Sequence, residues 1–245
     1  MRKKKNGNTK KEKIIDITNN ITATNTFPSF KNKLKPRTDN QKEYIRYIVE
    51  NTITFCQGVA GSGKTHCAVG VALEYLIEDK INKLIITRPV VEAGEKIGYL
   101  PGKYEEKLFP YLLPIEDEIN YFIGPALNAS LKLNNRIEIV PLGFMRGRNF
   151  HNSFIVADEC QNASYDQLKM LLTRIGQNSK MVLTGDVSQS DLARHLQGGF
   201  YDMLDILSDT PGIGISRLTD TDIVRNPIIA KILSKLDSHE QSRKQ

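Results

Sequence analysis

Between residues 38 and 236 the apolar positions alternate between two rhythms. Six short segments carry continuous or every-second apolar residues: ITFCQ (53–57), KLIITR (83–88), IEIV (137–140), SFIVA (153–157), KMVLTG (180–185) and GISRL (214–218). Runs of this length, rich in β-branched residues, read as strands, and the most apolar of them as strands buried on both faces. The intervening segments repeat at helical spacing. Tyr44, Ile45 and Ile48 follow Thr38 or Asp39 as an N-cap, and Ala68, Val71, Ala72, Tyr75 and Leu76 form a second stripe. Further helices are expected at about 164–175, 200–207 and 226–236. A stretch from about 102 to 122 also has helical character, but Pro110 and Pro114 each remove a helical N–H, so it is expected to break into small helices. Strands alternating with helices predict an α/β fold of three layers, a mostly parallel central sheet with helices on both faces and ligands at the carboxyl ends of its strands.

Composition refines the boundaries. Residues 1–36 are basic, rich in Thr, Asn and Ser and without periodicity, which predicts a disordered tail. One domain is expected over 37–236, with a helical insertion near 89–130, and a polar tail over 237–245. Residues 1–37 hold eleven Lys and Arg against Glu12 and Asp16, so the chain's net charge of +6 leaves −3 for residues 38–245. The basic character therefore belongs to the tail, either a solubilising segment or an arm that tracks a phosphate backbone. The basic N-terminal residues precede no apolar run, and no segment approaches the ~18 apolar residues of a membrane span, so a cytoplasmic protein is expected. Cys56, Cys67 and Cys160 show no metal-ligand spacing and read as buried thiols.

GVAGSGKT, Gly58 to Thr65, completes the pattern GxxxxGK[ST] between a strand and a helix. Backbone N–H groups in such a loop converge on phosphates, and glycine lets the backbone approach them without a clashing Cβ. Gly58, Ala60, Gly61, Ser62, Gly63 and His66 are expected to line the nucleotide, Lys64 to meet its terminal phosphates and Thr65 to reach Mg²⁺. Two further strand ends supply the rest of a hydrolytic site. IVADECQN places Asp158 for the metal and Glu159 as general base; LTGDVSQ places Gln189 to bond the γ-phosphate and the attacking water, with Asp186 supporting the metal's water shell or the turn. No guanine-reading NKxD and no Arg-rich lid accompany them, so ATP hydrolysis is the expectation rather than GTP hydrolysis or small-molecule phosphorylation. Gln41 either reads adenine through its amide or is a solvated helix residue.

In order along the chain, Gln41, GVAGSGKT, ITRPVVEAGEKIGYLPG, MRGRNF, VADECQN and LTGDVSQ resemble the PhoH family of P-loop ATPases over roughly residues 38–236. The resemblance implies a core similar to one lobe of a superfamily 1 helicase, use of ATP and Mg²⁺, and a link to RNA or single-stranded DNA. Ala157 and Cys160 stand where many relatives carry Leu and Ala, and Asn226 stands where His is usual, while Arg225 is retained. No nuclease domain of the kind fused to some relatives is evident, so ribonuclease activity is not implied.

A single lobe with one P-loop needs an arginine from elsewhere to neutralise charge on the transferring phosphoryl group. Arg225 is expected to supply it in trans within a ring-like homo-oligomer such as a hexamer; a surface ion pair is the alternative. Arg88, Arg146 and Arg148 are candidates for phosphate-backbone contacts, with ion pairs that stabilise the fold as the rival use. Tyr99 and Phe150 can stack bases or pack.

Overall fold

The computed structural model describes residues 30–90, 104–223 and residue 235. Six strands, β1 (Ile53–Gly58), β2 (Lys83–Arg88), β3 (Ile137–Pro141), β4 (Ser153–Ala157), β5 (Lys180–Gly185) and β6 (Ile213–Leu218), form one sheet in the order β3-β2-β4-β5-β1-β6. Every pairing is parallel. The helices are α1 (Asp39–Glu50), α2 (Lys64–Ile77), α3 (Tyr104–Ile123), α4 (Pro125–Leu133), α5 (Tyr165–Leu172) and α6 (Gly199–Ile206).

Strand alternation divides the core between the two faces. Cys56, Leu84, Ile86, Ile137, Phe154, Val156, Val182 and Leu218 point to one side and pack with α1, α2 and α3. Phe55, Ile85, Ile155, Ala157, Met181 and Leu183 point to the other and pack with α5, α6 and the 3₁₀ turn Leu142–Met145. Because neighbouring residues of a strand face opposite ways, the continuous apolar runs are what two covered faces require.

Two sequence expectations are corrected. Helix α3 runs unbroken past residues 110 and 114 and is followed by α4, which the sequence pattern did not resolve. Its residues Ile115, Ile119 and Phe122 are fully buried at i, i+4, i+7 spacing in the first core, and this packing outweighs the ladder bonds that the prolines remove. The tail boundary also moves. Phe30 and Leu34 pack against the first core, and the N–H groups of Lys31 and Asn32 both donate to Phe122 O at 2.7 and 3.1 Å. Arg225, Tyr99, the expected helix at 226–236 apart from residue 235, and residues 91–102 of the segment 86–102 quoted for the family resemblance lie outside the described residues. Among the described residues no helix is long and apolar enough to cross a membrane.

Candidate active site

The carboxyl ends of β1, β4 and β5 are neighbours in the sheet, with β5 between the other two. β1 runs into the phosphate loop, which closes on α2 with Gly63 as its N-cap at φ 90°. An added Cβ at Gly63 would lie 2.7 Å from Gln41 Nε2, so glycine is needed there both for the left-handed backbone and for the approach of Gln41. Gln41 is buried on α1; its Nε2 donates to Ser62 O at 2.8 Å and its Oε1 accepts from the Arg37 N–H at 2.8 Å. Lys64 Nζ donates to the carbonyls of Gly58 (2.6 Å) and Val59 (2.9 Å), so the ammonium is folded over the loop that a phosphate would fill. Lys35, Arg37, Gln41, Gly61, Gly63 and His66 line an adjacent cavity of about 170 Å³.

Across the sheet, Asp158 follows β4 and is 5% exposed. Its Oδ1 accepts two hydroxyls, Thr65 Oγ1 from the start of α2 at 2.6 Å and Thr184 Oγ1 from β5 at 2.7 Å. Glu159 comes next with φ 56°, a left-handed conformation uncommon outside glycine, which turns the chain out of the strand direction. Its carboxylate is held by Arg88 Nη2 at 3.1 Å and Gln161 Nε2 at 2.5 Å. At the exit of β5, Asp186 Oδ1 accepts from Ser188 N (3.0 Å) and Ser188 Oγ (2.6 Å), closing a turn that carries the exposed Gln189. Asp186 Oδ2 is buried and has no hydrogen-bond partner among the described residues.

The buried thiols take no part in this arrangement. Burial pushes the Cys67 thiol up to about 12 and raises those of Cys56 and Cys160 well above the ordinary range, so all three stay protonated.

A family model described as PhoH-like protein matches residues 33–237. The chain belongs to the PhoH family. PhoH-like proteins of Synechocystis sp. and Bacillus subtilis are 40% and 42% identical to it over 85% and 83% of its length. Protein PhoH of Escherichia coli is 36% identical over 80%. The matches cover 64%, 64% and 56% of those proteins, so the chain spans about three fifths of the length of the curated relatives it matches. Among solved structures, the large terminase of a thermophilic bacteriophage aligns over 81% of this chain and 50% of that one, with a TM-score of 0.51 and 11% identity, a likeness of fold alone.

In this PhoH-family chain the fold brings Lys64, Thr65, Asp158, Thr184, Glu159 and Asp186 to one end of the sheet. It disposes of the candidate arginines differently. Arg88 is divided between Glu159 and the Tyr111 carbonyl of α3 at 3.2 Å. Arg148 makes a two-pronged pair with Glu138 at 2.6 and 2.8 Å and lies over the Phe150 ring, 4.8 Å from its centroid. Phe150 itself is 5% exposed and packs in the second core, so it presents no face for a base. Arg146 is exposed beside a cavity of about 380 Å³ lined also by Gly143, Asp166, Gln167 and Met170. His66 meets Glu118 of α3 through Nδ1 at 2.5 Å and stacks near Phe122. Two participants escaped the sequence reading. Thr184 lay within a quoted motif, but its bond to Asp158 depends on β4 and β5 being neighbours, and Gln161 lay beside the acids with nothing local to single it out.

Proposed function

We propose that this chain hydrolyses Mg²⁺-bound ATP and couples turnover to single-stranded RNA or DNA. The observation that carries the hydrolytic part is the 2.6 Å bond between Thr65 and Asp158, which joins the phosphate-loop helix to the end of β4 across 93 residues of sequence. A hydroxyl and a buried carboxylate meeting beside a phosphate cradle are a donor set suited to Mg²⁺. The unpartnered Asp186 Oδ2 at the exit of β5 adds an acceptor for a water of the metal's shell. When bound, the metal would supply positive charge against the phosphates. Lys64 would leave the Gly58 and Val59 carbonyls for the terminal phosphates. Glu159 would take the proton of the attacking water, Gln189 would orient that water against the γ-phosphate, and Gly58 to Thr65 would cradle the phosphates through backbone N–H groups. The cavity beside Gln41 and His66 would take the base. In the free protein the Gln41 amide braces the loop through Arg37 N and Ser62 O, and its second N–H and second lone pair are what it keeps for adenine.

The nucleic-acid part rests on the exposed Arg146 and on the family's implied link to single strands. Arg225 would complete the site from a neighbouring subunit of a ring such as a hexamer. A second reading, an ATP-driven switch acting on a protein partner, is favoured by one observation: Arg88 and Arg148 are committed to ion pairs within the protein.

Phosphate release with and without single-stranded RNA and DNA at low salt, beside a solution mass determination, tests the proposal. The expected outcome is stimulated turnover by a ring-sized species, with Glu159→Gln retaining ATP and releasing phosphate about a hundredfold or more slowly. Turnover indifferent to every polynucleotide selects the protein-partner reading. A fully active monomer removes the role of Arg225 in trans.

A further inference from the structure

Gln161 sits in the 3₁₀ turn Cys160–Asn162 that follows the two acids, and it is 5% exposed. Its side-chain amide spans two groups of opposite character. Oε1 accepts from the Asp186 N–H at 3.0 Å, and Nε2 donates to Glu159 Oε2 at 2.5 Å. A backbone N–H only donates and a carboxylate only accepts, so the two neighbours fix the orientation of the amide. Among side chains of this reach, only glutamine offers an acceptor and a donor without charge. Glutamate would keep the Asp186 bond and repel Glu159, leucine would make neither bond, and asparagine is one methylene short.

The contact is part of a longer seam. Ser190 Oγ donates to Gln161 O at 3.0 Å, and Asp191 N donates to Asn162 Oδ1 at 2.8 Å. Gly185 leaves room for it: an added Cβ there would lie 3.1 Å from Gln161 Oε1 and 2.8 Å from the Phe200 ring. The turn behind Glu159 and the loop carrying Asp186 and Gln189 are therefore stitched side by side, and among the described residues Gln161 is the side chain that hydrogen-bonds both the acid and that loop.

We propose that Gln161 is a positioning residue that ties the Glu159 carboxylate to the loop after β5, so that the base and Gln189 reach the γ-phosphate in register. The proposal rests on Glu159 being the base. A carboxylate displaced by about an ångström loses on the order of a hundredfold in rate, which is the size of effect such a tie would protect.

Four variants of the full chain test it: Gln161→Glu, Gln161→Leu, Glu159→Gln and the double Glu159→Gln/Gln161→Glu. In nucleotide-free protein, amide exchange over residues 185–191 should quicken about tenfold in Gln161→Leu and stay at the wild-type rate in Gln161→Glu, which keeps the acceptor for Asp186. With Mg²⁺ and ATP, Gln161→Glu should lower kcat by roughly 10- to 100-fold while KM for ATP stays within about twofold. Added to Glu159→Gln, it should cost nothing further, because the residue acts through that acid. Wild-type kcat in Gln161→Glu, with Glu159→Gln stalled, would overturn the role of Gln161 alone. Parallel losses of kcat and ATP affinity that add to those of Glu159→Gln would mark a packing residue and overturn it too. Wild-type turnover in Glu159→Gln would remove the base, and the role of Gln161 with it.

Discussion

Arg88 at the end of β2 and Glu159 just beyond β4 form an ion pair of 3.1 Å, joining neighbouring strands at the mouth of the phosphate loop. The other arm of the guanidinium is occupied by the Tyr111 carbonyl, so Arg88 links helix α3 to the proposed base. Arg88→Ala should lower turnover in the absence of any polynucleotide about tenfold, since one of the two groups holding the carboxylate is gone. Steady-state phosphate release checks this, and an unchanged basal rate would make the pair a bystander.

Gly185 is packed so closely under Phe200 and Gln161 that a methyl group has no room. Gly185→Ala should destabilise the fold by about 1–3 kcal/mol through overpacking, read as a lower urea midpoint at unchanged slope. It should also slow ATP turnover, because the displaced neighbour Gln161 is one of the two residues that hold Glu159.

Glu138 on the edge strand β3 gathers Arg148 and Lys83, the latter at 2.6 Å. The hydrogen bonds from Arg148, helped by Lys83, outweigh burial and bring its carboxyl down from 4.5 to about 2. A folded value below the unfolded one means that the stabilisation is complete above about pH 4.5 and is lost as the pH falls toward about 2. Thermal melting across that window should show a steeper loss of stability in the wild type than in Glu138→Gln. Arg148→Ala should reproduce the shallower profile and cost on the order of 1 kcal/mol at neutral pH, since a partly exposed pair is screened by solvent.

Asp222 is fully buried and accepts Thr38 Oγ1 (2.5 Å), Asn40 Nδ2 (2.9 Å) and Thr219 N (2.7 Å). Burial opposes its charge, but the bonds from Thr38, Asn40 and Thr219 prevail and hold its carboxyl below the ordinary aspartate range. Thr38 in turn accepts the Gln41 N–H as the N-cap of α1, and Gln41 braces Ser62 of the phosphate loop. Asp222→Ala strands three donors and should cost roughly 2–3 kcal/mol in urea unfolding. Titration with a fluorescent ATP analogue should show weaker binding as well; wild-type affinity would mean that the loop holds its shape without the brace.

The six strands were legible because their apolar runs must satisfy two covered faces at once, and the phosphate loop because its chemistry is local: glycines, Lys64 and Thr65 are neighbours in sequence. Helix α3 was misread because a proline acts locally, whereas the burial of Ile115, Ile119 and Phe122 that overrides it comes from α2 and the sheet. The two acids and the loop after β5 could be named as candidates from their strand ends alone. What those side chains touch could not.

The sequence alone determined the fold class and the presence of a phosphate cradle. It also marked the strand ends at which acids were to be sought. Only the tertiary structure decided that Thr65 and Thr184 share Asp158, that Arg88 belongs to Glu159 and Arg148 to Glu138, and that Gln161 bridges the acid and the loop. The reason is the strand order. Placing β5 between β1 and β4 sets side by side residues as far apart in sequence as Ile53 and Met181, and no local pattern of polarity encodes which strand lies next to which.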